Sequence, residues 1–151
     1  MRFQFALLAN GAAGPPDGLL YVLGGGMNTI WSPQVPTVFK GALVIRLLAD
    51  RTEAGRLQQL EIQVNDADGN SILQQPIQIG ITPQLPPQLP RGWAIPCQLV
   101  ADLTGLQLPR TGEYAIAILL NGTHVGGEAF QVVQGLPPGA LTTGPGPLPR
   151  T

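Results

Sequence analysis

The segment "LQQLEIQVND", Leu57 to Asp66, sets Leu60, Ile62 and Val64 in strict alternation with Gln59, Glu61, Gln63 and Asn65. A period of two sends successive side chains to opposite faces, so this stretch predicts a strand with one wet face and excludes an amphipathic helix. The same period recurs in "FKGALVIRLL", where Phe39, Leu43, Ile45 and Leu47 share a face opposite Lys40 and Arg46. It recurs again in "GWAIPCQLVADL", with Trp93, Ile95, Cys97, Leu99, Ala101 and Leu103 on one side. Pro96 removes a backbone donor there and places that strand at a sheet edge or a bulge.

Turn chemistry joins these strands. Asn121-Gly122 lies between two apolar runs in "GEYAIAILLNGTHVGGEAFQVV", and Asn-Gly supplies the two positive φ values of a type I′ hairpin. Tyr114, Ile116, Ile118 and Leu120 share a face before that turn, and Gly126-Gly127 predict a bulge after it. A second hairpin is expected at Asp66 to Asn70, between Leu57–Asn65 and Ile72–Ile79. With Phe3–Ala9 and Leu19–Gly24 the expectation is about eight short strands and no helix. Half-wet alternation marks antiparallel sheets, and two packed together make an all-β, immunoglobulin-like sandwich. The 20 Gly and 16 Pro among 151 residues fit many short elements joined by tight turns.

The domain is expected over residues 1–134. Thr82 to Gly92, "TPQLPPQLPRG", reads as an extended crossing between sheets, with recognition by a proline-binding module as the other reading. Residues 135–151, "GLPPGALTTGPGPLPRT", hold too little apolar surface for a core and read as a Gly/Pro-rich tail, free or captured by a neighbouring chain.

Charge and cysteine usage narrow the function classes. Only 11% of residues are charged, the eight basic ones are scattered and Lys40 is the one lysine, so no electrostatic footprint for nucleic acid is present. Cys97 is alone and cannot form an internal disulfide. No apolar run approaches the length of a membrane span, and the run Phe5 to Ala9 is shorter than a signal-peptide core. A cytoplasmic location, or release by a signal-independent route, is the resulting expectation.

The candidate sites are few. Gly24-Gly25-Gly26 could in principle cradle a phosphate, but the following "MNTIWSP" starts no helix and offers no Lys-Ser/Thr pair. These glycines read instead as permitting a bulge or a strand that switches sheets. Asp66, Asp68 and Asn70 alternate like calcium ligands, yet Gly69 falls at the fourth position and no Glu stands at the twelfth, so the stretch reads as a hairpin turn, with a weak, solvent-open calcium site as the other reading. His124, the single histidine, reads as a polar residue beside a turn, and Cys97 as a small buried hydrophobe. A Cys97–His124 nucleophilic pair lacks a third orienting residue. Trp31 and Trp93 read as core or rim packing and not as sugar platforms. No catalytic, cofactor-binding or metal-binding residue is assigned, and no enzyme is expected.

"GLLYVLGGGMNTI", Gly18 to Ile30, is similar to a "GKLxxLGGGWDxI"-like signature of an uncharacterised bacterial β-sandwich family, with Met27 and Asn28 where Trp and Asp would stand. "LPRTGEYAIAILLNGTHVGGEAFQV", Leu108 to Val132, resembles the closing hairpin of that family and of immunoglobulin-like domains. The resemblance implies a sandwich and carries no assigned activity. Gly112-Glu113-Tyr114 also resembles part of a tyrosine corner, with Arg110 in place of the usual Asp, which implies a core role for Tyr114. Three function classes follow: a non-enzymatic binding or structural module, a self-assembling subunit of a filament, shell or phage-like particle with a captured tail, and an enzyme or small-ligand protein. The partner expected is a protein or a second copy, as a possible homo-oligomer.

Overall fold

The computed structural model describes residues 1–14 and 16–139. Among them lie eleven strands: β1 (Arg2–Ala13), β2 (Tyr21–Met27), β3 (Thr29–Ser32), β4 (Thr37–Phe39), β5 (Ala42–Ala49), β6 (Gln58–Asp66), β7 (Ile77–Ile81), β8 (Ile95–Asp102), β9 (Leu106–Leu108), β10 (Gly112–Leu120) and β11 (Thr123–Gln134). A single 3-10 turn at Arg51–Glu53 is the one helical element among the described residues. The chain is all-β, as its alternation requires.

The strands form a four-stranded sheet in the order β2-β1-β5-β8, a five-stranded sheet in the order β3-β11-β10-β6-β7, and a small β4-β9 pair. The expectation of about eight strands in two antiparallel sheets is therefore corrected. The stretch from Phe39 to Leu47 is not one strand, because the chain breaks at Lys40-Gly41 and Phe39 pairs across to Leu106 in the third sheet. Two backbone bonds fix that break, Leu103 N–H donating to the Gly41 carbonyl (2.9 Å) and Gly105 N–H to the Phe39 carbonyl (3.0 Å). β3 runs parallel to β11, so the larger sheet is mixed.

One apolar cluster joins both large sheets. Leu8, Leu43, Ile45 and Leu47 come from the four-stranded sheet, and Leu60, Ile62, Ile118 and Val132 from the five-stranded one. Each of these side chains is fully buried, and each such burial contributes about 1.5–3 kcal/mol relative to exposure. β8 closes one edge of its sheet, where Pro96 removes no bond from an inner ladder. Trp93 does not join the apolar side of β8 as expected, and 65% of it is exposed.

The hairpins follow local chemistry. Asn121 (φ 49°) and Gly122 (φ 82°) take the two positive φ values, and Leu120 pairs with Thr123 across the turn. The bulge falls at Val125, immediately before the glycine pair, where Ile118 faces Gly126 but Leu119 faces His124. The turn at Asp66–Asn70 forms and is closed by an Asn65–Ser71 bridge. The return strand starts at Ile77 and not at Ile72, because its register against β6 is displaced between Ser71 and Ile77. Thr82 to Gly92 does cross between the sheets, from β7 to β8, but it is not continuously extended. Leu89 N–H donates to the Pro86 carbonyl (3.1 Å) and Trp93 N–H to the Pro90 carbonyl (3.2 Å), so two turns interrupt it. Thr82 to Pro86 precedes both turns.

Candidate functional site

The three glycines act on the backbone. Leu8 pairs with Met27 and Ala9 with Gly25, which leaves Gly26 as the extra residue of a bulge. Gly24 (φ 61°) and Gly26 (φ 85°) both occupy the left-handed region that a side chain disfavours. Two residues later, at Asn28, the chain leaves the four-stranded sheet and enters the five-stranded one as β3. Asn28 is fixed at that crossing by its carbonyl, which accepts Gln131 N–H at 2.9 Å. Both readings of the glycines, bulge and sheet switch, thus apply together. Among the described residues no helix N-terminus faces them, and the glycines lead into a strand, not into the helix that a phosphate loop requires. Beside them lies an open groove of about 650 Å³, walled by Gly24–Gly26, Trp31, Val38 and Lys40, with Pro137 entering from the end of β11.

The aspartate turn is internally satisfied. Asp66 Oδ1 accepts the backbone N–H groups of Asp68 (3.0 Å) and Asn70 (2.9 Å). Its Oδ2 accepts from the Arg110 guanidinium at 2.7 Å, which also reaches Asp68 at 3.3 Å. The Asn70 amide, with Asp68 and Arg110 behind it, holds the Asp66 carboxyl below the usual carboxylate range. A guanidinium therefore occupies the place at which a calcium ion would compete for the same oxygens. Among the described residues no group of three or more His, Cys, Asp or Glu is arranged to hold a metal.

Cys97 and His124 are not brought together. Cys97 sits buried on β8, its Sγ 3.8 Å from the Ile95 carbonyl, and burial pushes its thiol up, away from the nucleophilic thiolate. His124 stands exposed on β11, in the other sheet. Tyr114 is a core anchor as the tyrosine-corner resemblance implied. Its hydroxyl donates to the Arg110 carbonyl (2.7 Å) and accepts Arg110 N–H (3.1 Å), and its ring stacks on Phe130 at 5.3 Å. Trp31 and Trp93 are both exposed, which corrects the core reading for each.

A feature that sequence reasoning missed is where apolar surface is left open. Phe5, Leu19, Tyr21, Val22 and Leu23, all on β1, β2 or the segment leading into β2, are exposed large hydrophobics. Trp31 and Val38, across the glycine groove, extend the same side. The signal was present in "LLYVL", Leu19 to Leu23, a run with no alternation at all. An edge strand with apolar groups on both faces cannot bury both against a single core. Part of the outer face is covered: Gln98 Nε2 donates to the Gly18 carbonyl at 2.6 Å, and the segment before β2 lies over Val44, which is fully buried. Arg46, beneath this patch, is engaged by Gln4 (2.6 Å) and Gln98 (3.2 Å).

Among the described residues no helix is long and apolar enough to cross a membrane. The model of a family of unknown function, DUF6941, matches residues 4–133, so the chain belongs to that family. No curated protein and no solved structure shows a match to the chain.

Proposed function

We propose that this member of DUF6941 is a non-enzymatic, immunoglobulin-like β-sandwich module that works by protein association through the β2 side. Support for the sandwich comes from the single apolar cluster shared by the two large sheets, and for the immunoglobulin likeness from the Tyr114–Arg110 corner. The observation that carries the association reading is the uncharged, exposed apolar run on edge strand β2. Between Gly18 and Trp31 there is no charged residue. Natural sheet edges are normally blunted by charge, proline or covering elements, and contiguous apolar exposure marks contact surfaces. Cys97 is buried, His124 lies in the other sheet and the Asp66 turn is satisfied by its own neighbours, so these three candidates do not combine into a catalytic group.

A benzophenone attached at position 23, in a Leu23→Cys chain that also carries Cys97→Ala, tests this reading in an extract of the source cells. A discrete cross-linked product, with itself or with another protein, is expected. Absence of any product, while the same label at Thr104 behaves alike, would sink the association reading.

A second reading, a self-assembling subunit whose C-terminal segment is captured by a neighbour, draws on the entry of Pro137 into the Trp31 groove. Residues 140–151, which would do the reaching, lie outside the described residues. Light scattering on the full chain and on a chain ending at Gly139 separates the two readings: association lost on truncation favours tail capture, and association retained favours the β2 side.

A further inference from the structure

We infer that the occupant of the β2 side is a second copy of this chain, paired edge to edge through β2 across a two-fold axis. The inference rests on the association reading above and names its partner. Of the sheet edges, β8 carries Pro96, β7 is bounded by Pro76 and Pro83, and β3 runs directly into Pro33. β2 has neither proline nor charge, and its residues Tyr21 to Leu23 pair with Ala13 to Gly11 of β1, which leaves their other edge unpaired. The bulge at Gly26 limits the usable edge to the stretch before the glycines.

Area supports a copy as partner. Leu23 is 75% exposed, Leu19 58% and Tyr21 52%, with Phe5 and Val22 also open. At roughly 150–250 Å² per large side chain, these five expose about 500 Å² in total, at the upper range for a monomer's largest patch. Two such patches offer at most about 1,000 Å² for burial, at the lower bound for a specific interface. A two-fold contact places the same patch on both sides, so the patch must tolerate itself. Its charged neighbours are both engaged within the chain: Arg46 by two glutamines, and the Asp17 carboxylate at its margin by the Leu19 N–H (3.0 Å) and the Tyr21 hydroxyl (2.9 Å). Edge pairing also explains why apolar side chains are open on both faces of one strand, since each meets its counterpart beyond the edge.

Sedimentation velocity over a concentration series tests the inference. The wild-type chain is expected to pass from monomer to dimer, and Leu23→Glu or Tyr21→Glu to weaken the dimer by roughly tenfold or more. Trp93→Glu, at an exposed apolar residue elsewhere, is expected to leave the dimer unchanged. Far-ultraviolet circular dichroism and an unaltered unfolding midpoint confirm that the variants fold. A wild-type chain that stays monomeric throughout overturns self-pairing. If a label at position 23 then cross-links to a different protein, association through β2 survives while the copy as partner does not. A dimer indifferent to Leu23→Glu, or one abolished by ending the chain at Gly139, overturns the inference in favour of another contact.

Discussion

The β6-β10-β11 ladder and the β1-β2-β3 side of the molecule obey opposite rules. Between β6 and β10 pairing runs residue for residue from Leu60–Leu120 to Asp66–Tyr114, inward positions alternate with wet ones, and the single slip against β11, at Val125, lies next to the turn. On the β2 side the register slips at Gly26, the strand exposes nearly every residue, and the chain leaves one sheet for the other. The first region is organised to be buried once and stay so. The second leaves apolar surface open at a place where regularity is interrupted, and on the proposed reading the difference separates stability from association.

Paired truncations give the largest effect that could break this comparison. Ile118→Ala, at a fully buried position in β10, is expected to cost about 2–5 kcal/mol in urea unfolding. Leu23→Ala is expected to stay within about 0.5 kcal/mol when measured on dilute monomer. Comparable losses at both positions would mean that β2 belongs to the core. Next, Tyr114→Phe removes a hydroxyl that bonds twice to Arg110 backbone, and about 1–2 kcal/mol should be lost. A smaller cost, about 1 kcal/mol, is expected for Gly26→Ala, where open space leaves only the positive φ to resist a side chain. A neutral result there would remove the argument that the bulge needs glycine.

The smallest effect concerns pH. Asp66 has its folded carboxyl value lowered, first by the Asn70 amide, so its contribution is present above the unfolded carboxylate range and is lost as pH falls through the folded value. Asp66→Asn keeps an acceptor oxygen but cannot titrate. The difference in thermal midpoint between wild type and this variant should therefore shrink on acidification, and a constant difference would remove the carboxylate from the account.

What could be read from sequence was local. The Leu60-Ile62-Val64 alternation, the Asn121-Gly122 turn and the Tyr114 corner each depend on neighbours a few residues away, and the structure realises them. Pairing between distant segments was not legible. The parallel β3–β11 contact joins Thr29 to Gln131, and the β4–β9 pair joins three-residue strands too short to show a period. The exposure of Trp31 and Trp93 was hidden for a related reason, since alternation fixes which face a residue takes but not whether another sheet covers it. The candidate surface was partly visible: its glycines were readable as backbone devices, while its open apolar side chains needed the topology that makes β2 an edge.

Hydrogen exchange read by mass spectrometry, at low and at high protein concentration, tests the central claim most directly. Protection is predicted to rise with concentration in peptides covering residues 19–27 and to stay unchanged in those covering 112–120. Concentration-dependent protection confined to the ladder, or to the loop that carries Trp93, would contradict the assignment of association to β2.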